Sequence, residues 1–337
     1  MSTIREVAKE AQVSIATVSR ILSNDPTFHA SEETRQRVMQ AVHTLNYQYA
    51  SRRNQIHIGC IMSLTYSYSD PYFNDILNGI QSFCSRHNAL ISLIVSYAQF
   101  QEMKAGLEKQ LSELDGLIIT DLPVGRLDFI SRINQKLVFI DNYINGYCNV
   151  GYNEIFANQI MMDHLISCGY RKIAYIGGPA DYYGFASSAR MMVYRETLRK
   201  NNIPFNEELI YDCNWDHQLC ARQTRELLSR HPDTHVIFAG SDSLAIVILS
   251  QLNELGLKCP DDIGVVGFND IDLASSFSPP LTTVRLPPVT MGETAARILI
   301  EQITTNTIQN LQILLPVELK VRKSTRNICN ETSLKQK

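Results

Sequence analysis

The run Ile4-Arg5-Glu6-Val7-Ala8-Lys9-Glu10-Ala11-Gln12-Val13-Ser14-Ile15-Ala16-Thr17-Val18-Ser19-Arg20-Ile21-Leu22 contains two short helical patterns separated by a turn. Thr3 followed by Glu6 has the spacing of a capping box and opens the first helix, which runs through Ala11. Ile4, Val7, Ala8 and Ala11 fall on one face of it. After Gln12-Val13, Ser14 is placed to cap a second helix, Ile15 to Leu22, with Val18, Ile21 and Leu22 turned inward. The polar break Ser23-Asn24-Asp25-Pro26 leads to Ser31, which caps a third helix ending near Asn46-Tyr47. Its apolar stripe is Val38, Ala41, Val42 and Leu45. Periodicity alone allows either a generic three-helix bundle or a helix-turn-helix, whose second helix enters the major groove of DNA.

Beyond Ile56 the texture changes to alternating strands and helices. Short apolar strands are expected at 57–62, 90–95, 116–120, 137–140, 172–177, 235–239 and 263–267, with helices including 72–87, 153–167, 187–201 and 242–254. Such alternation predicts parallel sheets covered by helices on both faces. A segment of about 280 residues exceeds one ordinary core and should form two lobes. Folds of this kind bind ligands beyond the carboxyl ends of their strands. Asp70-Pro71-Tyr72-Phe73, Asp141, Ser241-Asp242 and Asn269-Asp270 fall there.

Composition narrows the function. The chain has 337 residues, 45% hydrophobic and 19% charged, with a net charge of −3, and reads as a globular protein of two or three domains. No apolar run reaches the ~18 residues that cross a bilayer, and the first residues lack the basic start and apolar block of a signal peptide. A cytoplasmic location is the expectation. The eight cysteines are scattered without a C-x-x-C pair and read as reduced core residues. Cys213, Cys220, His231 and His235 are too widely spaced for a zinc knuckle, so no metal is expected. Residues 1–58 carry +2, leaving −5 for the remainder, a mildly basic head on an acidic body. Phosphate-binding glycine loops, the G-x-S-x-G elbow and H-E-x-x-H are missing, and no nucleophile is paired with a base. Neither catalysis nor a cofactor is expected.

The wording of 4–22, continued by Ser31 to Tyr47, strongly resembles the head of the LacI/GalR family of regulators. The likeness extends over nearly the whole chain, through Tyr175-Ile176-Gly177-Gly178-Pro179, Arg190-Met191-Met192-Val193-Tyr194, Ser241-Asp242-Ser243-Leu244-Ala245, Val266-Gly267-Phe268-Asn269-Asp270 and Pro279-Pro280-Leu281-Thr282-Thr283-Val284. It implies a helix-turn-helix head at 1–47, a hinge at 48–56, a two-lobed sensor of the periplasmic-binding-protein type at 57–327, and a polar tail at 328–337. The tail has no leucine heptads, so a tetramerising coiled coil is not expected. The implied protein is a homodimeric repressor of a near-palindromic operator.

By position in the family, Ile15 and Ala16 read base edges, where apolar side chains favour the thymine methyl. Thr17, Ser19 and Arg20 hold phosphate or add a base contact, the alternative being capping and solvation. Thr3 and Ser14 complete the expected set. Two departures stand out. Gln12 occupies the family's turn glycine. The hinge 48–55 has no leucine for the minor groove, so Arg52 and Arg53 are expected to supply contacts to phosphate or the minor groove.

In the sensor, the resemblance makes Arg190 a fork of donors to sugar hydroxyls and puts Asn269 where many relatives grip ligand with aspartate. Ser241 and Asp242 are similar to the family's polar pair at the lobe interface, although Asp242 could simply cap its helix. Tyr72 and Phe73 either stack on the effector or pack their own helix, and Asp141 completes the candidate set. Leu286 and Pro287 fall where relatives have polar contacts. Galactose or a galactoside acting as inducer is the expected effector. The alternative is a corepressor of the purine type that tightens DNA binding.

Overall fold

The computed structural model describes residues 3–22, 28–45, 47, 55–62, 71–102, 105–120, 124–178 and 188–328. Arg52 and Arg53 lie outside the described residues, as does most of the polar tail. The chain divides into two compact units between Ile56 and His57.

The first unit consists of α1 (Ile4–Glu10), α2 (Ile15–Leu22) and α3 (Glu32–Thr44). Thr3 closes the expected capping box: its backbone N–H donates to Glu6 Oε2 at 2.6 Å, and Glu6 N–H donates to Thr3 Oγ1 at 3.4 Å. Val7, Ala8, Ala11, Val18, Ile21, Val38 and Ala41 form the core. Leu22 is only half-buried and packs at its margin. Between α1 and α2 the chain turns through Gln12 at φ +54°, a left-handed conformation that a side chain makes costly.

The second unit opens with β1 (Ile56–Met62), α4 (Pro71–Arg86), β2 (Ala89–Ser96), α5 (Tyr97–Glu102), α6 (Ala105–Ser112), β3 (Gly116–Thr120), α7 (Leu127–Ile133), β4 (Leu137–Ile140) and β5 (Cys148–Tyr152). It continues with α8 (Glu154–Ser167), β6 (Ile173–Gly177), α9 (Ala189–Lys200), β7 (Ile210–Asp212), α10 (His217–Arg230), β8 (Val236–Ala239), α11 (Asp242–Glu254), β9 (Gly264–Val266) and α12 (Asp272–Ser276). The last elements are β10 (Thr283–Arg285), α13 (Pro288–Thr305), β11 (Gln312–Leu315) and β12 (Glu318–Lys320).

One sheet has the order β11-β5-β4-β3-β1-β2 and the other β7-β6-β8-β9, while β10 and β12 form an antiparallel ribbon. The central strands of both sheets pair in parallel and are buried along their length, as continuous apolar strands covered on both faces must be. Each sheet has its own apolar core.

The chain passes between the sheets at Tyr152–Glu154, at Arg285–Pro288 and at Leu315–Glu318, because α13 returns to the first sheet and β12 leaves it again. α13 lies against α4 at very close range. A Cβ on Gly79 would strike the Val289 carbonyl, and one on Gly292 the Ile76 carbonyl, so only glycines allow this helix contact. Among the described residues no helix is long and apolar enough to cross a membrane.

Candidate operator interface and effector cleft

At the head, Ser14 caps α2 by accepting from Thr17 N–H at 3.0 Å, and its hydroxyl lies 2.8 Å from that of Thr17. Ile15 and Ala16 therefore occupy the first helical positions, and both are exposed. Ile15 is 45% exposed at this capped helix end. Ser19 is half-buried on the same helix, and Arg20 is exposed with its guanidinium 5.5 Å from the Phe28 ring centre. The N-terminus of α3 repeats the Ser14 geometry: Thr34 N–H donates to Ser31 Oγ at 3.2 Å and the two hydroxyls lie 2.8 Å apart. Two helix N-termini with hydroxyl caps suit phosphate oxygens. Sequence reasoning took Ser31 only as a cap, although its S-x-x-T spacing matches Ser14–Thr17.

In the sensor, Arg190 projects from α9, whose cap is Ser188 accepting from Met191 N–H at 3.2 Å. The guanidinium is buried. Its Nη1 donates to the Gly240 carbonyl at 2.6 Å, its plane lies 4.3 Å from the Phe268 ring centre, and Tyr175 is a further partner. Among the described residues its buried Nε has no hydrogen-bond partner, a cost that a bound acceptor would remove. Among the described residues the alternative for Arg190, a surface salt bridge, is not formed.

Aromatic rings surround this group. Tyr152 is tilted against Phe268 at 6.3 Å. The Trp215 indole lies on Gly178 and Gly240, where built Cβ atoms would come within 2.5 and 2.9 Å of its ring. Burial, reinforced by Asp141 and Glu154, pushes the Tyr152 phenol well above its ordinary range, while Arg190 opposes the shift.

From the first sheet, Asp141 ends β4 at φ +56° and accepts a hydrogen bond from the Tyr72 hydroxyl. Tyr72 is buried and also reaches Met291 Sδ at 3.8 Å. Phe73 meets Tyr72 edge-on at 5.3 Å. Tyr72 thus takes part in a cleft contact while packing its helix, and Phe73 serves the packing.

Two expectations need correction. Ser241, not Asp242, caps α11, by accepting from Leu244 N–H at 3.3 Å. Asp242 is fully buried and both its oxygens are occupied, by the Thr283 hydroxyl at 2.6 Å and by Ile271 N–H at 2.9 Å. It ties the turn after β9 to β10, so its carboxylate is not offered to a ligand. Asn269, at φ +114°, exchanges backbone hydrogen bonds with the β10 strand and lines a cavity of about 250 Å³ together with Tyr72, Asp75, Arg285 and Leu286. Asp270 is held by Arg285 and Arg322, each at 2.6 Å, a structural role.

Sequence reasoning missed Tyr152, Trp215 and Phe268. The available signal was the chain's single tryptophan in the polar stretch Asn214-Trp215-Asp216.

Residues 3–49 match the model for bacterial regulatory proteins of the lacI family, and 162–325 that for a periplasmic binding protein-like domain. The HTH-type transcriptional repressor MelR of Bacillus subtilis is 30% identical, covering 96% of this chain and 97% of that one. The chain belongs to the LacI family. It is a DNA-binding transcriptional repressor. Another LacI-family relative, the ribose operon repressor of Halalkalibacterium halodurans, is 28% identical over 97% of this chain and 98% of its own. A solved complex of the transcriptional regulator CelR with cellobiose aligns with a TM-score of 0.72 at 26% identity, covering 96% of this chain and all of that one. The LacI-family fold accounts for the head and for the two crossed lobes alike.

Proposed function

We propose that this LacI-family repressor grips a near-palindromic operator as a homodimer, and that a sugar bound between its lobes, galactose or a galactoside, loosens that grip. In this reading residues 1–47 are the DNA-binding head, 48–56 the linker and 57–327 the sensor. Ile15 and Ala16 meet base edges, while Thr17, Ser19, Arg20 and the Ser31–Thr34 cap hold phosphates. The observation that carries the effector reading is Arg190: a buried Nε–H with no acceptor among the described residues, set near Phe268, Tyr152 and Trp215. Aromatic faces pack against the C–H faces of a pyranose, and a single N–H suits a hydroxyl or ring oxygen. Asp141 and Asn269 are the acceptors proposed for further hydroxyls.

The test is gel shift on a palindromic operator duplex with galactose, β-galactosides or purines added, for wild type and Arg190→Ala. Galactosides should release the wild type, and the variant should stay bound. Tightening by a purine would replace induction with corepression. No preference for any palindromic duplex, whatever metabolite is present, would sink the operator reading.

A further inference from the structure

We propose that Phe28 is a positioning residue for operator binding: its ring, anchored at the core of the head, holds the guanidinium of Arg20 on the exposed face of α2. The inference deepens the proposed function and rests on its reading of Arg20 as a DNA contact.

α2 has one outward face. Val18 and Ile21 are buried, whereas Ile15, Ala16 and Arg20 are exposed. Arg20 follows Ala16 at the i,i+4 spacing, so the two lie one above the other on that face. An arginine there has a long stem with many rotamers, and ordering it against DNA costs free energy unless it is already held. Phe28 supplies a hold. Its side chain is half-buried and packs against the core that includes Val7, Val18, Ile21 and Val38. The ring is thereby fixed relative to α2, and the guanidinium carbon of Arg20 lies over it at 5.5 Å from the ring centre. That is within the ~6 Å at which an aromatic face attracts a cation.

The chemistry of the holder matters as much as its place. A carboxylate would accept N–H groups of Arg20 and offset its charge, both of which duplex DNA uses. A phenyl ring carries no formal charge and no lone-pair acceptor. This contact therefore orients the cation while leaving its forked donors for phosphate oxygens or a guanine edge. Leucine at this position would still fill the margin of the core but would offer the cation no aromatic face. Phe28 also leads directly into Ser31, whose hydroxyl accepts from Thr34 N–H and caps α3. One short stretch of chain thus joins the holder of Arg20 to the second phosphate-facing cap of the proposed interface. Arg20 has a further partner besides the ring, so the ring's share has to be isolated from it.

A double-mutant cycle on the full chain does this, read as anisotropy of a labelled palindromic duplex selected by the wild type from a random pool. Phe28→Leu should weaken binding roughly two- to five-fold. Phe28→Tyr, which keeps the ring, should bind close to wild type. In an Arg20→Ala background Phe28→Leu should cause no further loss. Thermal unfolding of the same chains reports the packing of Phe28 separately, and Phe28→Met repeats the comparison if the leucine chain does not fold. Equal losses of affinity in the two backgrounds would assign Phe28 to packing alone and overturn the proposal. So would a Phe28→Leu chain that binds as tightly as wild type, or more tightly, since the ring would then be drawing Arg20 away from DNA. Wild-type affinity in Arg20→Ala is a different failure: it removes the DNA contact assigned to Arg20, and the positioning role with it.

Discussion

Asp242 shows how a residue can sit in a family block and still serve the frame. Its carboxylate is buried, has no cation against it among the described residues, and is held by the Thr283 hydroxyl and Ile271 N–H. Burial raises its pKa to about 6, against those two hydrogen bonds. The folded state therefore binds this proton more tightly than the unfolded chain does. The resulting stability is fully present below about pH 4, the unfolded carboxylate range, and is lost as pH rises through about 6. Asp242→Asn has no such slope. The advantage of wild type over Asp242→Asn should shrink between pH 5 and pH 8, a swing of up to ~3 kcal/mol across the full titration. Thermal unfolding at three pH values measures it, and an advantage that grows with pH would contradict the assignment. Gln12 offers a second residue-level case. At φ +54° it carries a left-handed backbone with a side chain, so Gln12→Gly should stabilise the head by ~0.5–1 kcal/mol. Slower amide exchange in α1 and α2 of the full-length variant would show it.

Among the elements, those with strong periodicity were legible in advance and those defined by tertiary pairing were not. α11 runs from Asp242 to Glu254, as the apolar spacing of that stretch indicates. β3 and β4 stand where unbroken apolar runs put them. β7, β10 and β12 are three residues each, too short for any pattern, and exist because a neighbouring strand pairs with them. β5 was hidden because Asn149 and Gly151 interrupt its apolar character. Asn149 is there to hold the preceding loop, accepting from Ile144 N–H at 2.8 Å. The site divides in the same way. Arg190 was picked out by the wording of its block and Asp141 by its place after an apolar strand, but Trp215 reaches Gly178 and Gly240 only because Asn214 and Trp215 both take left-handed φ values, 47° and 59°. No periodicity encodes that. The α4–α13 contact gives the element-scale prediction. Gly292→Ala should cost about 1–3 kcal/mol, since the intruding methyl meets backbone that cannot swing aside. Gly106→Ala is the control: it is helical, exposed and meets nothing within 4 Å, so it should be neutral or stabilising by up to ~1 kcal/mol. Equal losses in the two variants would show that the close approach is not what constrains α4 and α13.

Over the whole molecule, the path of the chain bears on how an effector could be felt elsewhere. Each lobe has its own core, yet neither lobe is a continuous stretch: α13 and β11 belong with the first sheet and are reached only after the second is built. Three crossings join the lobes, of which Arg285–Pro288 leads directly into the α4–α13 contact through Val289. If effector and operator each favour a different arrangement of the protein, their effects are linked through one free energy, typically ~1–3 kcal/mol, or about 5- to 150-fold in affinity. The linkage must run both ways. The factor by which an effector changes operator binding should equal the factor by which saturating operator changes binding of that effector to the same full-length protein. Trp215 fluorescence supplies the second measurement, and operator anisotropy with and without ligand the first. Gly292→Ala provides a sharper version. If the crossing at Arg285–Pro288 carries the coupling, both factors should fall together in that variant while ligand still binds. Coupling factors unchanged from wild type in that variant would show that the crossing at Arg285–Pro288 does not carry the coupling.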